Sequence, residues 1–161
     1  MPKKHVIQVE YEHYQIHEGR KFFCNDLNKD IDAVYYWLIK APPAATNLHA
    51  HIFLALSAKG GLLLEIFKAP TITNDGTKLN IFGNYELPQD ESESLCFKAP
   101  TVGDDGTLIY AEQVGSGKKN GGMASRNEEV VLEGENYLLV KVTSDAQSNV
   151  VRNEFHWYEI P

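Results

Sequence analysis

Apolar and polar residues alternate along most of this chain. In residues 6–16, Ile7, Val9 and Tyr11 fall on one side of an extended segment and Gln8, Glu10 and Glu12 on the other, the period-two pattern of a half-buried strand. Residues 33–39 (Ala-Val-Tyr-Tyr-Trp-Leu-Ile) form a nearly continuous apolar run closed by Pro42-Pro43, whose missing backbone donors stop ladder pairing. That predicts a central strand leading into a bend. Further strands are expected over residues 49–56, 62–67, 78–83, 94–98, 107–112, 128–132, 137–142 and 153–160. No window of a dozen residues holds a helical period. The reading is an all-β chain of roughly 8–10 strands, spaced as in a sandwich or barrel.

One internal echo interrupts the alternation. Phe67-Lys68-Ala69-Pro70-Thr71 leading to Asn74-Asp75-Gly76-Thr77 recurs thirty residues later as Phe97-Lys98-Ala99-Pro100-Thr101 leading to Asp104-Asp105-Gly106-Thr107. Each copy sets a strand end, a proline that halts pairing, and an Asp-Gly whose glycine supplies the positive φ of a tight turn. Two copies are too few for a solenoid, so a pseudo-repeat of hairpins within one sandwich is expected. Between them, residues 86–93 are acidic and polar and read as a loop. Residues 115–122, glycine-rich around Lys118 and Lys119, read as a mobile loop.

Length and charge narrow the function. The 161 residues fit a single domain, 1–161, with residues 1–5 as a candidate flexible N-terminal arm. With 15 Lys and Arg against 22 Asp and Glu, the net charge of −7 argues against a surface that tracks phosphates, and so against nucleic acid. Strand-like alternation follows the basic start where a secretory signal would carry about 7–15 apolar residues. The most apolar stretch, 51–67, is broken by Lys59-Gly60-Gly61 and falls short of the roughly 20 residues of a membrane helix. A soluble protein without a membrane partner is expected. Cys24 and Cys96 are not spaced as a metal knuckle or a CxxC pair and are expected to be reduced and structural.

His49-Ala50-His51 is the most enzyme-like motif, because alternate strand residues point the same way and two imidazoles can share a metal. A cupin would place a carboxylate four or five residues further on, but Ile52 to Leu56 follow instead. His49 and His51 therefore remain weak metal candidates, which His13 and His17 would be able to join. His17-Glu18 lacks the second histidine of a zinc-protease helix, Gly115-Ser116-Gly117 lacks a nucleophile elbow, and the lysine-bearing glycine loop lacks the spacing of a phosphate cradle. No residue is assigned a catalytic role and no cofactor is expected. The aromatics Tyr11, Tyr14, Phe22, Phe23, Tyr35, Tyr36, Trp37 and Phe155-His156-Trp157-Tyr158 occur at consecutive positions, so their strands carry rings on both faces. One face is core; the other is a second buried layer or a surface for a partner or a sugar. The ending Trp157-Tyr158-Glu159-Ile160-Pro161 suggests a last strand integral to a sheet.

Over residues 15–160 the chain resembles the small all-β decoration, or cement, proteins of tailed-bacteriophage capsids. The resemblance is carried in order by His17-Glu18-Gly19, Asn47-Leu48-His49-Ala50-His51, Ile66-Phe67-Lys68-Ala69-Pro70-Thr71, Asp75-Gly76-Thr77 and Pro100-Thr101. It continues through Asp105-Gly106-Thr107, the glycine loop, Ser125-Arg126, Asn136-Tyr137-Leu138-Leu139 and Trp157-Tyr158-Glu159. It implies a jelly-roll-like β-sandwich with a non-enzymatic role on the outer face of a virion, made in the host bacterial cytoplasm. The implied partner is the major capsid protein, bridged by a homodimer or homotrimer. Lys3, Lys4, Lys118 and Lys119 are the candidate contacts to an acidic coat surface. The alternatives are a carbohydrate-binding jelly roll and a cupin-like metalloprotein.

Overall fold

Strands dominate because β-branched and aromatic residues recur at every second position, and the computed structural model, which describes residues 10–85, 91–115 and 122–161, orders them as follows. Helix α1 (Tyr11–His17) precedes β1 (Lys21–Ile31), β2 (Val34–Lys40), a 3-10 turn at Ala44–Thr46, β3 (His49–Ala58) and β4 (Leu62–Lys68). Then come the short strands β5 (Thr71–Asn74), β6 (Thr77–Lys78), β7 (Phe82–Gly83), β8 (Leu95–Lys98) and β9 (Thr101–Asp104). The long strands β10 (Thr107–Val114), β11 (Gly122–Glu133), β12 (Tyr137–Ser144) and β13 (Asn149–Ile160) complete the order. No described helix is long and apolar enough to cross a membrane.

One sheet runs β11-β3-β13-β1-β7 and the other β10-β4-β12-β2-β8-β6. Counting only the eight long strands in chain order, the first sheet reads 1-8-3-6 and the second 2-7-4-5, the connectivity of a jelly roll. The all-β sandwich expected from the alternation is thus the fold. Its interior is made by Ala50, Ile52, Leu54 and Leu56 of β3 with Phe155 and Trp157 of β13, packed on Trp37 and Ile39 of β2, Leu62, Leu64 and Ile66 of β4, and Leu138, Val140 and Val142 of β12. Asp26 of β1 crosses between the layers, accepting from Trp37 Nε1 at 2.9 Å and from Lys98 Nζ at 3.1 Å. The last strand is indeed integral, pairing with both β1 and β3.

The first expected strand is corrected. Residues 11–17 are helical; the same-side positions after Tyr11 are His13 and Gln15, so no apolar strand face continues there. Gln15 is buried, the Tyr11 ring meets Tyr158 edge-on at 5.5 Å, and Glu12 pairs with Lys21 at 2.5 Å. Gly19, at φ +70°, closes the helix with bonds from Gly19 N–H to Ile16 C=O and Arg20 N–H to Gln15 C=O. Residues 6–9 lie outside the described residues. The expected strand over 78–83 is also corrected, since only Thr77–Lys78 and Phe82–Gly83 pair.

The expected hairpins are corrected as well: the two copies of the echo pair with each other. β5 and β9 form a separate two-stranded sheet across the outside of the second sheet. It covers a small apolar layer of Leu38, Phe67, Phe97 and Leu139, with Tyr36, Ile72, Val102 and Tyr137 around it. A pseudo-twofold axis passes between the paired residues Leu38 and Leu139. It relates Lys40, bonded to Asp75 and lying over Tyr137 and Phe97, to Lys141, bonded to Asp105 and lying over Tyr36 and Phe67. It likewise relates the Thr77–Lys98 pair to the Thr107–Lys68 pair. Each Asp-Gly turn is therefore held by the opposite copy.

Candidate functional site: an aromatic and histidine face

Because strand side chains alternate, the residues between the core positions of the first sheet form its outer face. There the register aligns Phe53 of β3, His156 of β13, Phe23 of β1 and Phe82 of β7 in one row across four strands. The Phe53 and His156 rings lie 5.3 Å apart and the Phe23 and Phe82 rings 5.6 Å apart. Three inter-strand gaps of about 4.8 Å make the row roughly 14 Å long. Phe82 is 51% exposed, as is Leu27, two turns of the pleat along β1 from Phe23, while Val131 on β11 is 49% exposed.

A second row lies beside it. The His51 ring stacks on Tyr158 at 4.7 Å, and the Tyr158 hydroxyl donates to Glu129 Oε2 at 2.6 Å. His51 Nδ1 is 3.2 Å from Glu129 Oε1, close enough to feel its charge but off the line of a hydrogen bond. Glu129 reaches this place because β11 bulges between Arg126 and Val130 where β3 runs straight from Leu54 to Ile52. The Tyr158 hydroxyl holds the Glu129 carboxyl below its ordinary value of 4.5, with His51 adding to this against burial. Burial, then Glu129, push the Tyr158 phenol up.

The two histidines singled out in the sequence do not converge. His49 Nε2 faces Glu133 Oε2 at 3.0 Å, whereas His51 is taken up by Tyr158 and Glu129. Among the described residues no three ligating groups gather as a metal site. Lys3, Lys4, Lys118 and Lys119 lie outside the described residues. Cys24 and Cys96 are free and fully buried, and burial followed by a hydrogen bond with Cys24 raises the Cys96 thiol well above its ordinary value. The Cys96 sulfur thereby favours the protonated, unreactive form.

The face carries its own pH dependence. Burial, with the Lys21 ammonium adding to it, holds His156 below its ordinary value of 6.5, while Glu154 and Glu12 pull the other way. The folded chain resists a proton that the unfolded chain accepts, so stability begins to fall as pH drops through about 6.5 and levels off below the folded value. The His156→Gln variant is expected to show a flatter decline in urea midpoint across this window than the parent chain; equal slopes would contradict the assignment.

Of the residues that form this face, Phe53 was detectable as the next outward position after His51, and Phe23 and His156 stood in the aromatic runs. Phe82 lies outside the aromatic runs, between Ile81 and Gly83, and Glu129 depends on a bulge, so neither stood out in the sequence.

These features define a jelly-roll domain whose outer sheet face carries a half-buried aromatic row ending in exposed Phe82. No family model matches the chain, and no curated protein matches it. Among solved structures it is similar to the globular domain of zebrafish complement 1qA protein, at 10% identity and a TM-score of 0.30, over 86% of this chain and 95% of that one. A lipoprotein of Bacteroides thetaiotaomicron matches at 10% identity and a TM-score of 0.22, over 89% of this chain and 85% of that one. The VP2 subviral particle of infectious bursal disease virus matches at 13% identity and a TM-score of 0.18, over 88% of this chain and 42% of that one. Likenesses this slight carry no argument about function.

Proposed function

We propose that this protein is a non-enzymatic structural protein of a virion, which binds the outer surface of a tailed-phage capsid and stabilises contacts between its major coat subunits. The observation that carries the reading is the row Phe53, His156, Phe23 and Phe82, with half-exposed Leu27 and Val131 beside it. Aromatic residues are enriched where protein interfaces are driest, and contiguous exposed apolar surface marks a docking site. The Arg152–Glu154 and His49–Glu133 pairs supply the polar border such an interface carries. The choice of a capsid rests on the ordered sequence resemblance. Assembly as a dimer or trimer would multiply each contact by avidity.

Purified protein is expected to co-sediment with capsids that lack it, saturating at a fixed ratio to coat protein and raising the shell-disruption temperature. Phe82→Asp and Leu27→Asp, both at exposed positions, are each expected to weaken binding by about tenfold or more without unfolding the chain. Absence of sedimentation, or undiminished binding by the double variant, would reject this use of the face.

A further inference from the structure

His13 and His17 stand one turn apart on α1, both exposed, with their Nε2 atoms facing each other at 3.1 Å and their rings crossing at 77°. We propose that they form a two-ligand binding site for a divalent late transition cation: zinc, nickel or copper. An ion about 2.05 Å from each nitrogen would see them at an angle of about 98°, between the octahedral and tetrahedral values. The apo pair thus already has the nitrogen spacing of a chelate, and binding needs only that each ring turn its lone pair from the other nitrogen toward the ion.

The scaffold is set before the ion arrives. Tyr11 rests on Tyr158, Glu12 pairs with Lys21, Gln15 is buried, and the closing bonds at Gly19 and Arg20 hold the last turn. Tyr85 meets the His17 ring edge-on at 5.9 Å, fixing it from outside the helix. Little ordering remains to oppose binding. With both rings neutral, one Nε2 donates and the other accepts; the incoming ion replaces that proton, which moves to Nδ1 of the donating ring. Water fills the remaining positions, since no third ligand joins among the described residues. Copper should bind more tightly than nickel or zinc, and magnesium and calcium, which take oxygen ligands, should not bind. Acid should release the ion, because a ligating imidazole must be neutral.

The test is isothermal titration of the full chain with zinc chloride and with nickel chloride, beside magnesium chloride. One ion per chain is expected, with affinity falling by more than about tenfold in His13→Gln and in His17→Gln alike, since even an outer-shell partner contributes that much. His49→Gln should bind as the parent does. Both helix substitutions are at exposed positions, and an unchanged melting temperature without metal will show that the fold survives. Copper spectra of the parent should carry hyperfine structure from two imidazole nitrogens. The absence of zinc and nickel binding, or binding unchanged in both helix variants, would overturn the proposal.

Discussion

Replacing Gly76 or Gly106 with alanine is expected to lower the unfolding free energy by about 2–5 kcal/mol, the sum of a left-handed backbone forced on a residue with a Cβ and of overpacking. Gly76 has φ +85° and its added Cβ would stand 2.3 Å from the backbone oxygen of Lys98; Gly106 has φ +89° and its Cβ would stand 2.4 Å from that of Lys68. Neither oxygen can rotate away, because both belong to strands of the second sheet. Gly103 is the matched control, since its Cβ would find only ordinary contacts beginning at 3.6 Å. Urea unfolding of the three variants measures the difference. If Gly76→Ala and Gly103→Ala unfold at the same midpoint, the mutual clasp between the two copies is wrong.

Replacing Glu159 with alanine is expected to cost about 3–5 kcal/mol, the range for stripping a buried charged acceptor from its partners. The carboxylate is 4% exposed and accepts from the Ser92 hydroxyl at 2.7 Å, Glu93 N–H at 3.0 Å, Ser94 N–H at 2.9 Å and Trp157 Nε1 at 3.0 Å. It thereby pins the segment entering β8 to the central strand of the other sheet. Glu159→Gln keeps one acceptor oxygen but turns an amide toward donors, so an intermediate loss is expected in guanidinium titration. An alanine variant as stable as the parent would show that water replaces the carboxylate without cost.

The long strands were legible in the sequence because they bury one face and expose the other, which writes a period of two into residues such as Ala50 to Leu56. β1 was not, since its inward positions include the polar Asp26 and its outward ones the apolar Phe23 and Leu27, which blurs the alternation. The echo around the two Ala-Pro pairs was visible, but its meaning depends on which strands lie between the copies. The matching Tyr36-Trp37-Leu38-Ile39-Lys40 and Tyr137-Leu138-Leu139-Val140-Lys141, a hundred and one residues apart, makes sense only once β2 and β12 are known to pair. The candidate face was half visible for the same reason. Its rings can be named from the sequence, but their alignment into a row is a property of register across strands distant in the chain.

The pairing of β1 with β13 bears on how the chain is made. Lys21 meets Tyr158 and Asn28 meets Val151, so β1 finds its long partner only when β13 has emerged. Until then one pairing edge of β1 and one of β3 stay open, and the first sheet cannot close. Such long-range pairing slows folding, because the entropy of closing the chain is spent before the contacts that reward it form. A chain cut short before β13 would hold every strand of the second sheet but split the first into β11-β3 and β1-β7.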